Sequence, residues 1–258
     1  MKHGFLSLLA AGVAALTVTG CGERHETGDL LEQAGRQLSA GQYAKALTAA
    51  DLAVNSAPER YDALLMRAIA QERMGRTDLA LQSALEAEKR APEKSFAVQY
   101  TIGRLYAANP KTAPQALMPL GKALALRPGD RDTLILQADV YMGLKPSYAR
   151  RILKQLGRDT ALAAGAAYSN ELGVSELLSG QISQGGSHLN LAVSRSPRNP
   201  VFRLNYARYL DFYARQPTAA LTHYQTYLSL TQNLAGHDVY RKWTEGRIAE
   251  IRNRRGRR

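Results

Sequence analysis

The feature that most constrains this sequence is that a pattern of small residues closed by a proline returns after 34 residues. Gly41, Ala46, Ala50, Ala53 and Pro58 reappear as Gly75, Ala80, Ala84, Ala87 and Pro92. A period of this length is that of one supersecondary unit, which cannot bury its apolar face alone and has to lean on a neighbour. Each recurring residue has a steric role. Glycine frees a tight turn, alanines let two helices approach closely, and proline ends the helix before it. No stretch alternates apolar and polar residues as a half-buried strand would. The expectation is an all-α solenoid of helix pairs, about twelve or thirteen helices in all.

The period can be followed along the chain. The first copy, about Thr27 to Glu59, has Ala34 at its small site and Gly41 at the inter-helix turn. The second, Tyr61 to Lys94, carries Leu64, Ala68 and Gly75 before its alanines. The third, Ser95 to Gly129, has Ile102-Gly103, Tyr106, Ala116, Leu120, Ala123 and Pro128, with NPKTAP (Asn109 to Pro114) as a lengthened turn. The fourth fits loosely: Asp132 to Met142 makes a first helix with Ala138 and Tyr141, and Gly143 to Gly157 departs from the pattern. The fifth restores it with Leu172-Gly173, Gly180, Leu189, Ala192 and Pro197, and the sixth, Pro200 to Asn233, has Tyr206-Ala207, Leu210, Ala220, Tyr224 and Tyr227. From His237 to about Arg252 a capping helix is expected, containing the single tryptophan, Trp243.

These residues resemble the tetratricopeptide repeat, a pair of antiparallel helices with Leu-Gly and Tyr on the first helix and small or aromatic residues before a Pro on the second. The resemblance implies a right-handed superhelical solenoid of about six such hairpins with a C-terminal capping helix. The domain layout expected is residues 1–20 as a cleaved signal, 21–27 as a tether, 28–235 as the solenoid and 236–258 as capping helix and basic tail.

The N-terminus, MKHGFLSLLAAGVAALTVTGC, has an apolar run from Phe5 to Val18 that is too short for a membrane span and reads as an export signal. Val18-Thr19-Gly20-Cys21 resembles the bacterial lipobox, which implies cleavage before Cys21 and a lipid on its sulfur. The alternative is an ordinary signal peptide followed by a stray cysteine. Cys21 is the only cysteine, so no disulfide forms within one chain. By the same resemblance the acylated N-terminus anchors the chain, and Gly22, in place of a retention aspartate, directs it to the outer membrane, facing the periplasm.

Formal charge is +12. From Asp238 to Arg258 eight basic residues face three acidic ones, so +5 of it sits in the tail. Such a tail suits anionic headgroups or an acidic protein; the alternative is a solvated terminus. In the periplasm nucleic acid is not a partner.

No catalytic or metal constellation emerges, and neither a cofactor nor a small-molecule substrate is expected. His188, His223 and His237 lack metal-ligand spacing. GQISQGGS, Gly180 to Ser187, lacks the Lys and the preceding strand of a phosphate loop, and its glycines suit a turn and a close helix contact. What remains is surface. In the family it resembles, the first helix of each hairpin lines a concave groove. Carried onto this chain, the groove includes Leu31, Leu38, Asp62, Leu65, Ile69, Glu72, Ile135, Val174, Leu177, Leu204 and Asp211; the alternative, above all for the aliphatic ones, is that several simply pack between repeats. Tyr100, Arg104, Asp139, Asn170 and Arg208 are the expected partner contacts, because burying a charge without compensation is costly and a groove keeps it wet. Asn170, Asn205 and Arg208 match only part of the family's carboxylate clamp.

The chain therefore resembles tetratricopeptide lipoproteins of pilus biogenesis, namely those of the tight-adherence (Flp) system and the type IV pilus pilotins; ELGVSELLSGQ in the fifth copy is similar to the former. The resemblance implies a non-enzymatic scaffold holding a protein partner, a secretin or pilus-assembly subunit. The alternative is a docking adaptor for cell-wall or outer-membrane assembly enzymes.

Overall fold

The computed structural model describes residues 23–92 and 94–255; the expected signal peptide, the lipid site Cys21 and the last three tail residues lie outside them. The described residues form helices and no strand, arranged in two compact units divided between Val140 and Tyr141.

The first unit holds α1 (Glu23–Ser39), α2 (Tyr43–Ser56), α3 (Tyr61–Arg73), α4 (Thr77–Arg90), α5 (Phe96–Ala107), α6 (Leu117–Leu126) and most of α7 (Arg131–Leu144). A 3-10 turn, Ala113–Ala116, overlaps the end of the lengthened turn of the third copy and leads directly into α6. Helices α1 and α2, α3 and α4, and α5 and α6 pack as hairpins, and α2 packs on α3 and α4 on α5. Between α3, α4 and α5 lies a core of Leu64, Leu65, Ala68, Ala80, Ala84, Ala87, Val98, Ile102 and Leu105. A Cβ on Gly103 would come within 2.6 Å of the Leu120 side chain, so the Ile102-Gly103 pair is what lets α6 approach α5.

The second unit holds α8 (Pro146–Leu156), the single-turn α9 (Thr160–Ala163), α10 (Ala166–Leu178), α11 (Ile182–Arg195), α12 (Pro200–Arg208), α13 (Pro217–Leu230) and α14 (Asp238–Arg255). Fourteen helices among the described residues exceed the expected number because α9 is inserted ahead of the fifth copy. Asp159 caps it, its side chain accepting from the amides of Ala161 and Leu162. Helix α10 packs on α8 and α11, and α12 on α13. Gly173 and Gly185 sit where a Cβ on either would meet the other's carbonyl oxygen at 2.8–2.9 Å, which sets the α10–α11 crossing. Leu204, Ala207, Leu210, Ala220, Tyr224 and Tyr227 form the last core, closed by Ile248 and Ile251 of α14.

Two departures from the sequence reading have local causes. Helix α1 begins at Glu23, so residues 23–27, expected in the tether, are helical; Thr27 is buried and its hydroxyl pairs with that of Ser56 at 3.1 Å. In the sixth copy α12 continues as a π-turn, Tyr209–Tyr213. From the N-cap to the positive-φ residue that ends the first helix runs Arg60 to Gly75 and Gly165 to Gly180, but Asn199 to Arg215 is one residue longer. The wider turn absorbs the extra residue without breaking the hairpin.

Candidate partner-binding site

In the first unit, α5 places Tyr100 and Arg104 one turn apart on one face. Arg104 is not a free groove charge as expected. Its guanidinium lies 2.5 Å from Glu72 of α3, with both side chains mostly buried. Burial pushes the Glu72 carboxyl up, and the field of Arg104 pulls it back. Tyr100 stacks on Phe96 at 5.7 Å, with Arg104 5.9 Å from the Tyr100 ring and Arg127 4.1 Å from the Phe96 ring. Burial also raises the Tyr100 hydroxyl. The result is an aromatic pair under two guanidiniums. Asp139 of α7 differs: its carboxylate forms no hydrogen bond or ion pair with the described residues, and burial pushes it up to about 6.

In the second unit, Asn170 is placed inside, not on a wet surface. It is 1% exposed, accepts from the Asn205 amide at 2.9 Å and donates to Glu171 at 3.1 Å, so it ties α10 to α12. Its burial follows from α10 being covered from Tyr168 to Leu177 without interruption. The same enclosure holds Glu176 against His188, Nδ1 to Oε2 2.6 Å.

Arg208 is the expected contact whose surroundings form a surface. Its guanidinium lies 5.6 Å from the ring centroid of Trp243, which is 40% exposed. Phe212, 48% exposed, is 6.2 Å from Trp243, and Arg247 stands 5.0 Å from the Phe212 ring. Beneath them the buried Asp211 receives both arms of Arg247 at 2.7 and 2.8 Å and the Tyr224 hydroxyl at 3.0 Å. Those bonds stabilise the charged guanidinium of Arg247, and burial raises the Tyr224 hydroxyl. The aromatic pair is thus fixed on a rigid base. Sequence reading named Arg208 and Asp211 but missed Phe212 and Arg247 and gave Trp243 only a capping role. The readable signal was the extra residue before Arg215, which brings the π-turn and with it Phe212.

Among the described residues no group of three metal-ligating side chains comes together, and no helix is long and apolar enough to cross a membrane. No protein-family model matches the sequence, and no curated protein matches it. Solved structures do. A tetratricopeptide repeat protein from Parabacteroides merdae superposes with a TM-score of 0.67 at 17% identity, over 87% of this chain and 90% of that one. PilF of Pseudomonas aeruginosa gives 0.65 at 15%, over 88% and 99%. PilW, described as a widely conserved type IV pilus biogenesis factor, gives 0.65 at 16%, over 87% and 97%. Helix hairpins, their glycine turns and these likenesses agree: the chain has the tetratricopeptide-repeat fold.

Proposed function

We propose that this protein is a lipid-anchored periplasmic scaffold that holds a protein partner at the outer membrane and assists assembly of a pilus or secretin-type machine. The observation that carries the binding role is the Phe212–Trp243 surface. Two large aromatics remain substantially exposed, each beside a guanidinium, on a base fixed by a buried ion pair. Trp, Arg and aromatic neighbours held rigid in advance are the composition that dominates protein–protein binding energy, because little side-chain freedom remains to be lost. The anchor and its membrane rest on the lipobox resemblance at Cys21, and the envelope system on the likeness in fold to PilF and PilW.

Replacing Trp243 by a photo-crosslinking amino acid in the full chain in cells tests the binding role. A covalent adduct with a secretin or pilus-assembly subunit is expected. An adduct with a cell-wall or barrel-assembly enzyme would move the assignment to a docking adaptor, and no adduct at all would remove the role given to the Phe212–Trp243 surface. For the anchor, Cys21→Ser should abolish incorporation of labelled fatty acid, and continued labelling would refute it.

A further inference from the structure

The fourth copy, which departs most from the repeat pattern, carries a charge array that the aromatic surface does not use. Between Lys145 and Arg158 stand Lys145, Arg150, Arg151, Lys154 and Arg158 with no acidic residue among them. Helix α8 spends its apolar side, Ala149, Ile152, Leu153 and Leu156, on the core. Arg151 and Lys154 are left exposed about one turn (roughly 5 Å) apart on the helix, and Arg158 is exposed two residues beyond its end. Among the described residues the one ion pair to this array is a long contact, 3.9 Å, from Lys154 to Glu176, which is already bonded to His188. Arg150 and Lys154 are like charges four apart on α8, which opposes helix formation, and an anionic ligand would relieve that repulsion.

One of these cations is also held in place. The Arg151 guanidinium lies 4.5 Å from the ring of Tyr148, which Lys145 Nζ approaches at 4.4 Å and which packs on Tyr141 at 5.3 Å. A guanidinium held in one orientation offers its paired N–H donors to a carboxylate in two-pronged fashion.

We propose that the exposed face of α8 and the chain just beyond its end dock an acidic polypeptide segment, its carboxylates received by Arg151 and Lys154 on the helix and by Arg158 after it. The inference rests on the scaffold reading in taking the ligand to be a polypeptide, and it adds a second surface separate from the aromatic one.

Titrating the full chain with fluorescein-labelled decaglutamate, followed by anisotropy, tests it. Binding is expected, weaker at about 200 mM than at about 50 mM salt. Arg151→Glu/Lys154→Glu/Arg158→Glu should reduce affinity roughly tenfold or more, and Arg158→Glu alone, outside the helix, should give part of that loss. Lys45→Glu/Arg76→Glu/Lys111→Glu makes the same charge change at exposed positions of the first unit and should bind as the wild type does. Absence of decaglutamate binding, or equal loss in both triple variants, overturns the proposal. So does a defect of the α8 variant confined to flotation with phosphatidylcholine vesicles carrying about 30 mol % phosphatidylglycerol, which would make the face a membrane contact. Decaglutamate binding alongside a failed Trp243 cross-link would discard the aromatic surface as the binding face and retain this one.

Discussion

Arg215 adopts φ +55 at the turn where Gly41, Gly75 and Gly180 adopt +72, +76 and +82 in their repeats. In those three the glycine amide bonds back to the carbonyl three residues earlier and the next amide reaches five residues back, closing the helix end. A Cβ in that conformation costs about 1 kcal/mol or more. Arg215→Gly should therefore raise the urea midpoint by the equivalent of roughly 1 kcal/mol with an unchanged slope, less the entropy glycine adds to the unfolded chain. Asp139 gives a second residue-scale prediction. With a folded pKa of about 6 against an ordinary 3.8, the folded state binds the proton more tightly, so stability falls as pH rises through that window. Asp139→Asn should be nearly neutral near pH 4 and stabilise by up to about 3 kcal/mol at pH 7, read as the difference between variant and wild-type melts. The turn glycines were legible in sequence because their steric requirement is local. Asp139 was legible only as a polar residue on a first helix, since whether a neighbouring charge pairs with it depends on segments distant in sequence.

The capping helix expected from about His237 to Arg252 is α14, Asp238–Arg255, and what fixes it is the bond from Arg247 to Asp211 across the last hairpin. The Asp211 side chain is 0% exposed, so removing its partner leaves a buried carboxylate uncompensated. Arg247→Met should cost about 3–5 kcal/mol and speed amide exchange throughout α14. Asp211→Leu/Arg247→Leu should recover most of that stability, because it removes the charge along with its partner. If the single variant exchanged like the wild type, the ion pair would not be what seats the helix. The periodicity announces α14 as a helix, since an amphipathic pattern is a property of consecutive residues. Its clamp spans 36 positions and is visible only once α12, its π-turn and α14 are packed together.

At the scale of the molecule, burial is uneven. In the second unit α10 is enclosed over ten consecutive residues, Tyr168 to Leu177, although Ser169, Asn170, Glu171, Ser175 and Glu176 are polar. Those groups are satisfied inside: Ser169 by Arg195, Asn170 by Asn205, Glu171 by the Asn170 amide, Ser175 by the Leu172 carbonyl and Glu176 by His188. Native-state exchange should find the α10 amides last to open in that unit, well after those of α14 at its end, because a repeat array opens from its termini. Faster exchange in α10 than in α14 would contradict this order. By itself the sequence determined the all-α class, the hairpin as the unit and the positions of most turns, since glycine, alanine and proline act through local sterics and a 34-residue period admits few other structures. Tertiary structure decided which polar side chains meet a partner. Arg104 was drawn into a pair with Glu72 and Asn170 into the interior, while Phe212 and Trp243 were left in water. Desolvation and pairing depend on what a neighbouring hairpin brings within a few ångströms, and a repeat pattern, alike in every copy, does not encode that difference.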